Sequence, residues 1–153
     1  SVFSIGIGHA QQVPSCNSVE HKSLDFWIGK WDLTWDGGSG TNEVTKEYNG
    51  CVIHENFRGS NLKGMSISSY VDRANTWRQI WVDEENSFID LYGKMAGDNY
   101  IFHTTPDMNT PEIQLQMVFS NIQDNSFVWT WQRTENGGEN WQDLWQINYK
   151  RSK

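Results

Sequence analysis

Cationic side chains are scarce in this chain: 12 Lys and Arg stand against 19 Asp and Glu in 153 residues, a net charge of −7. No basic run gathers them, which argues against nucleic acid and anionic membrane surfaces as partners. Long apolar runs are also missing, and none approaches the roughly 18 residues that a membrane-spanning helix needs. No membrane insertion is expected. Proline is confined to Pro14, Pro106 and Pro111, and no linker or internal repeat divides the chain. One domain is therefore expected over 20–153, behind a leader over 1–19. Cysteine is limited to Cys16 and Cys51, whose spacing excludes a zinc ribbon or a redox CxxC pair. Either one disulfide, formed in an oxidising compartment, or two separate thiols fits.

The signatures of common chemistry are absent too. There is no GxGxxG ahead of a helix, no P-loop, no HExxH and no GxSxG elbow. Dinucleotide, nucleotide triphosphate and hydrolase readings lose their usual support. His54 and His103 are candidate site residues, but their separation gives no metal spacing, and a haem reading with one of them as axial ligand has no further support. Loops such as Asp83-Glu84-Glu85-Asn86 do not match a calcium-binding pattern and read as solvated turns. Neither metal nor cofactor is expected.

Aromatics are abundant. Nine Trp, seven Phe and five Tyr offset an apolar share of only 37%, because each ring can bury roughly 150–250 Å². Ser1–Ala10 (SVFSIGIGHA) is a short apolar run ending in small residues, as the tail of a secretory signal peptide does, with cleavage after Ala10. The expected location is secreted or periplasmic.

Past residue 20, aromatic and apolar segments recur about every ten residues, each bounded by Gly, Asn or Asp. This rhythm predicts ten strands near 30–36, 41–49, 51–58, 64–72, 76–83, 87–94, 98–104, 112–120, 126–134 and 141–150. A helical turn capped by Ser23 is expected over 20–27. Gly137 and Gly138 suit a hairpin turn; that segment resembles a single Asp-box, without the repeats a propeller requires. Ten strands in sequence, joined by short turns, make an all-β, up-and-down antiparallel barrel.

Alternation places Cys51, Ile53, Glu55 and Phe57 on one face, and Trp77, Gln79, Trp81 and Asp83 on another. Phe127, Trp129, Trp131 and Arg133 form a third. If these faces point inward, Glu55 and Gln79 are interior polar groups in need of partners, and Arg133 is the expected counter-ion of Glu55. That pair reads either as structural or as part of a cavity in which Glu55, Gln79, Tyr92 and Arg133 orient a ligand among Trp and Phe walls.

Leu24-Asp25-Phe26-Trp27-Ile28-Gly29-Lys30-Trp31-Asp32 resembles the FxFWxGxWD opening of uncharacterised lipocalin-like proteins exported by many bacteria, members of the calycin group. Gly50–Glu55 is similar to their GCxxxE, Gly64-Met65-Ser66 to GxS, Trp77–Asp83 to WxQxWVD, and Asn136 through Trp141 to DGGxxW, with Asn136 in place of Asp. The resemblance spans about 24–150. It implies a calycin-type barrel closed by an N-terminal turn, with Gly29 and Trp31 packed at its bottom. Related calycins carry hydrophobic small molecules, bind haem, attach bilins or rearrange unstable lipids.

Two functions follow as expectations. The first is an exported barrel that binds a small, mostly hydrophobic ligand between Trp77, Trp81, Trp129, Trp131 and Phe57, with Glu55, Gln79 and Arg133 as polar handles. The second is a cofactor-free isomerase, cyclase or lyase in the same cavity, with Glu55 as general acid or base and Arg133 or Tyr92 stabilising negative charge. A module using exposed Trp to stack on carbohydrate is a third reading, and a barrel filled entirely by side chains is the plain alternative.

Overall fold

Segments that alternate aromatic and polar side chains can hide only one face, so they pair edge to edge until the sheet closes on itself. The computed structural model describes residues 16–153 and shows this closure. Ten antiparallel strands run in order: β1 (Gly29–Trp35), β2 (Gly38–Glu47), β3 (Val52–Gly59), β4 (Lys63–Val71), β5 (Thr76–Asp83), β6 (Phe88–Ala96), β7 (Asn99–Thr104), β8 (Gln114–Gln123), β9 (Ser126–Thr134) and β10 (Gln142–Arg151). Each pairs with its sequence neighbours, and β10 returns to β1 through Trp31–Arg151 to Thr34–Asn148. The expected barrel and all ten strands are present. The leader Ser1–Ala10 lies outside the described residues.

One end is closed. Helix α1 (Val19–Lys22) and a 3-10 turn at Asp25–Trp27 cross it. Ser18, not Ser23, caps the helix: its hydroxyl accepts from the His21 N–H, while Ser23 sits at the C-terminal end and donates to Glu20 O. The barrel holds this plug at several points. Lys46 Nζ donates to His21 O and Asp25 Oδ1, and Trp77 Nε1 to Glu20 O and Ser23 Oγ. Cys16 and Cys51 form a disulfide that ties the segment ahead of α1 to the β2–β3 connection.

Below the plug lies the aromatic core. Trp31 is fully buried, with its indole N–H on Trp27 O at 2.8 Å and its ring 4.9 Å from Phe127. The Arg151 guanidinium lies 4.2 Å above the Trp31 ring and donates to Ile28 O. Gly29 allows this approach: at φ +139°, a Cβ there would fall 2.3 Å from Arg151 Nη1. The Gly29–Trp31 packing at the barrel bottom is thus present, with Arg151 as its third member.

Candidate functional site

The other end opens on a cavity of about 240 Å³ that reaches down to Trp27. Its walls are built by strand parity, because residues two apart share a face. On β3, Ile53, Glu55 and Phe57 point inward; on β5, Trp77, Gln79 and Trp81 do. Phe57, Trp81, Trp129, Trp131 and Trp145 form an aromatic ring around the opening. Trp129 and Trp131 stack in parallel, 6.2 Å apart at 3°, and Trp145 meets Trp129 edge-on at 5.8 Å. Gly64 leaves room for the Trp81 indole, which a Cβ would touch at 2.4 Å.

Glu55 stands among these rings, 6% exposed. Its Oε1 accepts from Asn42 Nδ2 at 2.7 Å and its Oε2 from the Ser66 hydroxyl at 2.6 Å. Asn42 Nδ2 also donates to the Tyr149 hydroxyl. Burial raises the Glu55 pKa, and the two hydrogen bonds only partly offset it. Burial, with the Glu55 charge behind it, pushes the Tyr149 phenol well above its ordinary value, so it stays protonated. Gln79 is 2% exposed and donates to the Ser68 hydroxyl at 2.8 Å. Among the described residues, Asn42 Oδ1 and Trp27 Nε1 are buried without a partner.

Asp83 sits at the rim. Its Oδ2 accepts from Trp81 Nε1, and its Oδ1 from the backbone N–H groups of Glu85 and Ser87. Burial acts to raise its pKa, but the hydrogen bonds from Trp81, Ser87 and Glu85 together outweigh it and the net shift is downward. Asp83 is therefore an ionised carboxylate at the opening.

Six of the expected site residues line this cavity: Glu55, Phe57, Gln79, Trp81, Trp129 and Trp131. Others lie elsewhere. Arg133 is not the partner of Glu55; three strands separate β9 from β3 on the shorter path, and Arg133 lies at the end of β9, 40% exposed, with Nη2 3.1 Å from Glu135. A long cation next to solvent stays hydrated instead of crossing an apolar interior. Tyr92 points outward, because Leu91 and Gly93 beside it point in; it stacks on His103 at 5.8 Å beneath the Arg78 guanidinium. His54 is also on the outer face, 3.4 Å from Glu47. Trp77 is buried at the closed end, as a post for the helix and not a cavity wall.

Compared with known proteins, the chain matches no family model and no curated protein. The closed ten-stranded antiparallel barrel is consistent with a lipocalin-like fold. Three of the nine Trp, Trp27, Trp31 and Trp77, are buried and the other six are half-buried. Among the described residues no cluster of His, Cys, Asp and Glu is arranged to hold a metal ion.

The sequence reading missed Asn42, Ser66, Ser68 and Tyr149. Ser66 and Ser68 sit directly across from Glu55 and Gln79. Counting outward from the turns at 60–62 and 72–75 would have found both.

Proposed function

We propose that the protein is an exported lipocalin-like carrier that binds one small, mostly hydrophobic molecule inside the barrel. One observation carries this reading: a cavity bounded by Trp and Phe faces also holds three buried polar side chains, Glu55, Gln79 and Tyr149. Apolar walls with a few fixed polar groups are the usual make-up of a small-molecule site. At about 240 Å³ the space is small for such sites, which run roughly 300–1,000 Å³, but exceeds the roughly 150 Å³ that accepts benzene. A ligand of one or two rings fits best. The resemblance to exported calycin-group proteins supports the same reading.

The raised pKa of Glu55 supports a second reading, general acid or base chemistry on such a molecule. Proton transfer would then pass through a Glu55 oxygen, with the Tyr149 hydroxyl as a neighbouring donor.

Native mass spectrometry of the full chain after incubation with a small-molecule extract tests the reading. A reproducible added mass is expected, lost on organic extraction and absent in Ile147→Trp, which fills the cavity. An unchanged bare mass in wild type, with wild-type and Ile147→Trp proteins indistinguishable, would overturn it. Recovery of a chemically altered ligand from wild type but not from Glu55→Gln would favour the enzyme.

A further inference from the structure

We propose that the cavity selects a small cyclic molecule bearing one ammonium group, with the charge on Glu55 and the hydrocarbon body against the faces of Trp81, Trp129 and Trp145. This rests on the ligand-binding reading above and adds the sign of the ligand's charge.

Among the described residues, three charged side chains line the cavity, Glu55, Asp83 and Glu85, and all are acidic. Among the described residues, no Lys, Arg or His nitrogen comes within 4.0 Å of a Glu55 oxygen. The cation expected there, Arg133, is held by Glu135 instead. Gln79 uses its amide nitrogen on Ser68, which leaves its carbonyl oxygen to offer a ligand. Trp27 Nε1, a partnerless donor at the floor, is uncharged and leaves the sign unchanged. Among the described residues the interior therefore presents carboxylate and carbonyl acceptors beside two neutral donors, Trp27 Nε1 and the Tyr149 hydroxyl, and no resident cation.

The Trp walls suit the same charge wherever they present a face, because the face of an indole attracts a cation and repels an anion. The opening does too. Its five connections, at 36–37, 60–62, 84–87, 105–113 and 135–141, carry seven acidic residues and no Lys, Arg or His, against three cations at the adjoining strand ends, Arg58, Lys63 and Arg133, the last paired with Glu135. The four strand connections at the closed end carry three acidic and one basic. Such a field concentrates cations at the mouth and turns away fatty carboxylates.

The test compares three molecules of nearly equal shape on the full chain by calorimetry at neutral pH and low salt: 2-phenylethylamine, 2-phenylethanol and phenylacetate. The amine is expected to bind at least about tenfold tighter than the alcohol, with the carboxylate weakest. In Glu55→Gln the amine-to-alcohol ratio should fall below about threefold, and in Glu85→Gln, a change on the exposed rim, by about twofold. An alcohol or carboxylate that binds wild type as tightly as the amine overturns the ammonium proposal alone. Failure of all three to bind overturns the ligand-binding reading with it. If Glu55→Gln does not fold, the wild-type ranking and Glu85→Gln decide the matter.

Discussion

At the closed end Trp31 is sealed between Phe127, Tyr149 and the Arg151 guanidinium, whereas at the mouth Trp129 and Trp131 stack on each other and leave open volume beside them. The residue type is the same; the difference is in what occupies the space between rings. At the bottom the 3-10 turn and the Arg151 guanidinium close on it. At the top the charged residues that line the open volume are carboxylates, and Asp83 takes the indole N–H of Trp81. Aromatic abundance by itself therefore does not separate a core from a binding wall, but the sign of the charge beside each ring and the presence of a plug do.

The sharpest way to break this comparison is to remove one Trp from each end. Trp31→Ala should cost about 3–5 kcal/mol in urea unfolding, because a fully buried ring leaves a cavity no neighbour can fill. Trp131→Ala, half-buried beside existing open volume, should cost about 1–2 kcal/mol and weaken binding of the aromatic amine. Equal losses from the two changes would make the mouth a second core. The disulfide sharpens the contrast from the closed end. Replacing Cys16 and Cys51 by Ser should lower stability by about 3–4 kcal/mol in the chain-entropy view, since it frees a loop closed across 35 residues. Affinity at the mouth should stay as it was, and a change there would mean that the two ends communicate.

Two glycines allow a matched test on a smaller scale. Gly29→Ala should cost about 1–3 kcal/mol, from the positive φ and the displaced Arg151, with little effect on the cavity. Gly64→Ala has ordinary backbone geometry, but its Cβ would meet the Trp81 ring at 2.4 Å and the Val82 backbone carbonyl at 2.8 Å. It should therefore cost stability of similar size and, unlike Gly29→Ala, also shift Trp emission and ligand affinity.

The barrel was legible because alternation and turn residues act locally: a two-residue period and a Gly or Asn at each reversal are enough to mark ten strands. Inward faces were legible where apolar residues marked them, as on β3 and β5. They were not where a strand is polar on both faces. β2 reads Gly-Ser-Gly-Thr-Asn-Glu-Val-Thr-Lys-Glu, and nothing in that run says that Asn42 points to Glu55. Arg133 shows a different limit, because shared parity with Trp129 and Trp131 fixes its side of the sheet but not its height along the barrel. Tyr92 was misplaced by one residue of parity, the smallest error a strand allows and one that moves a side chain through the wall.

The last expected effect concerns pH and isolates the mouth, because Glu55 is the buried carboxyl there. Its folded pKa lies above the ordinary carboxylate range, so across that window the folded state binds more protons than the unfolded chain. Stability should then fall as pH rises from the ordinary carboxylate value to the folded one, by up to about 1.4 kcal/mol per pH unit, and level off above. Asp83, with its pKa lowered, contributes in the opposite sense and at lower pH, its stabilisation being lost as pH falls. Wild type and Glu55→Gln compared by urea unfolding across this range remove the common background. The difference should slope through the window and vanish as a slope outside it. Ligand sharpens the point: an ammonium ion on Glu55 favours the ionised carboxyl, so saturating 2-phenylethylamine should flatten the wild-type slope, whereas 2-phenylethanol should leave it in place. A slope that neither Glu55→Gln nor the amine alters would place the titrating group outside the cavity.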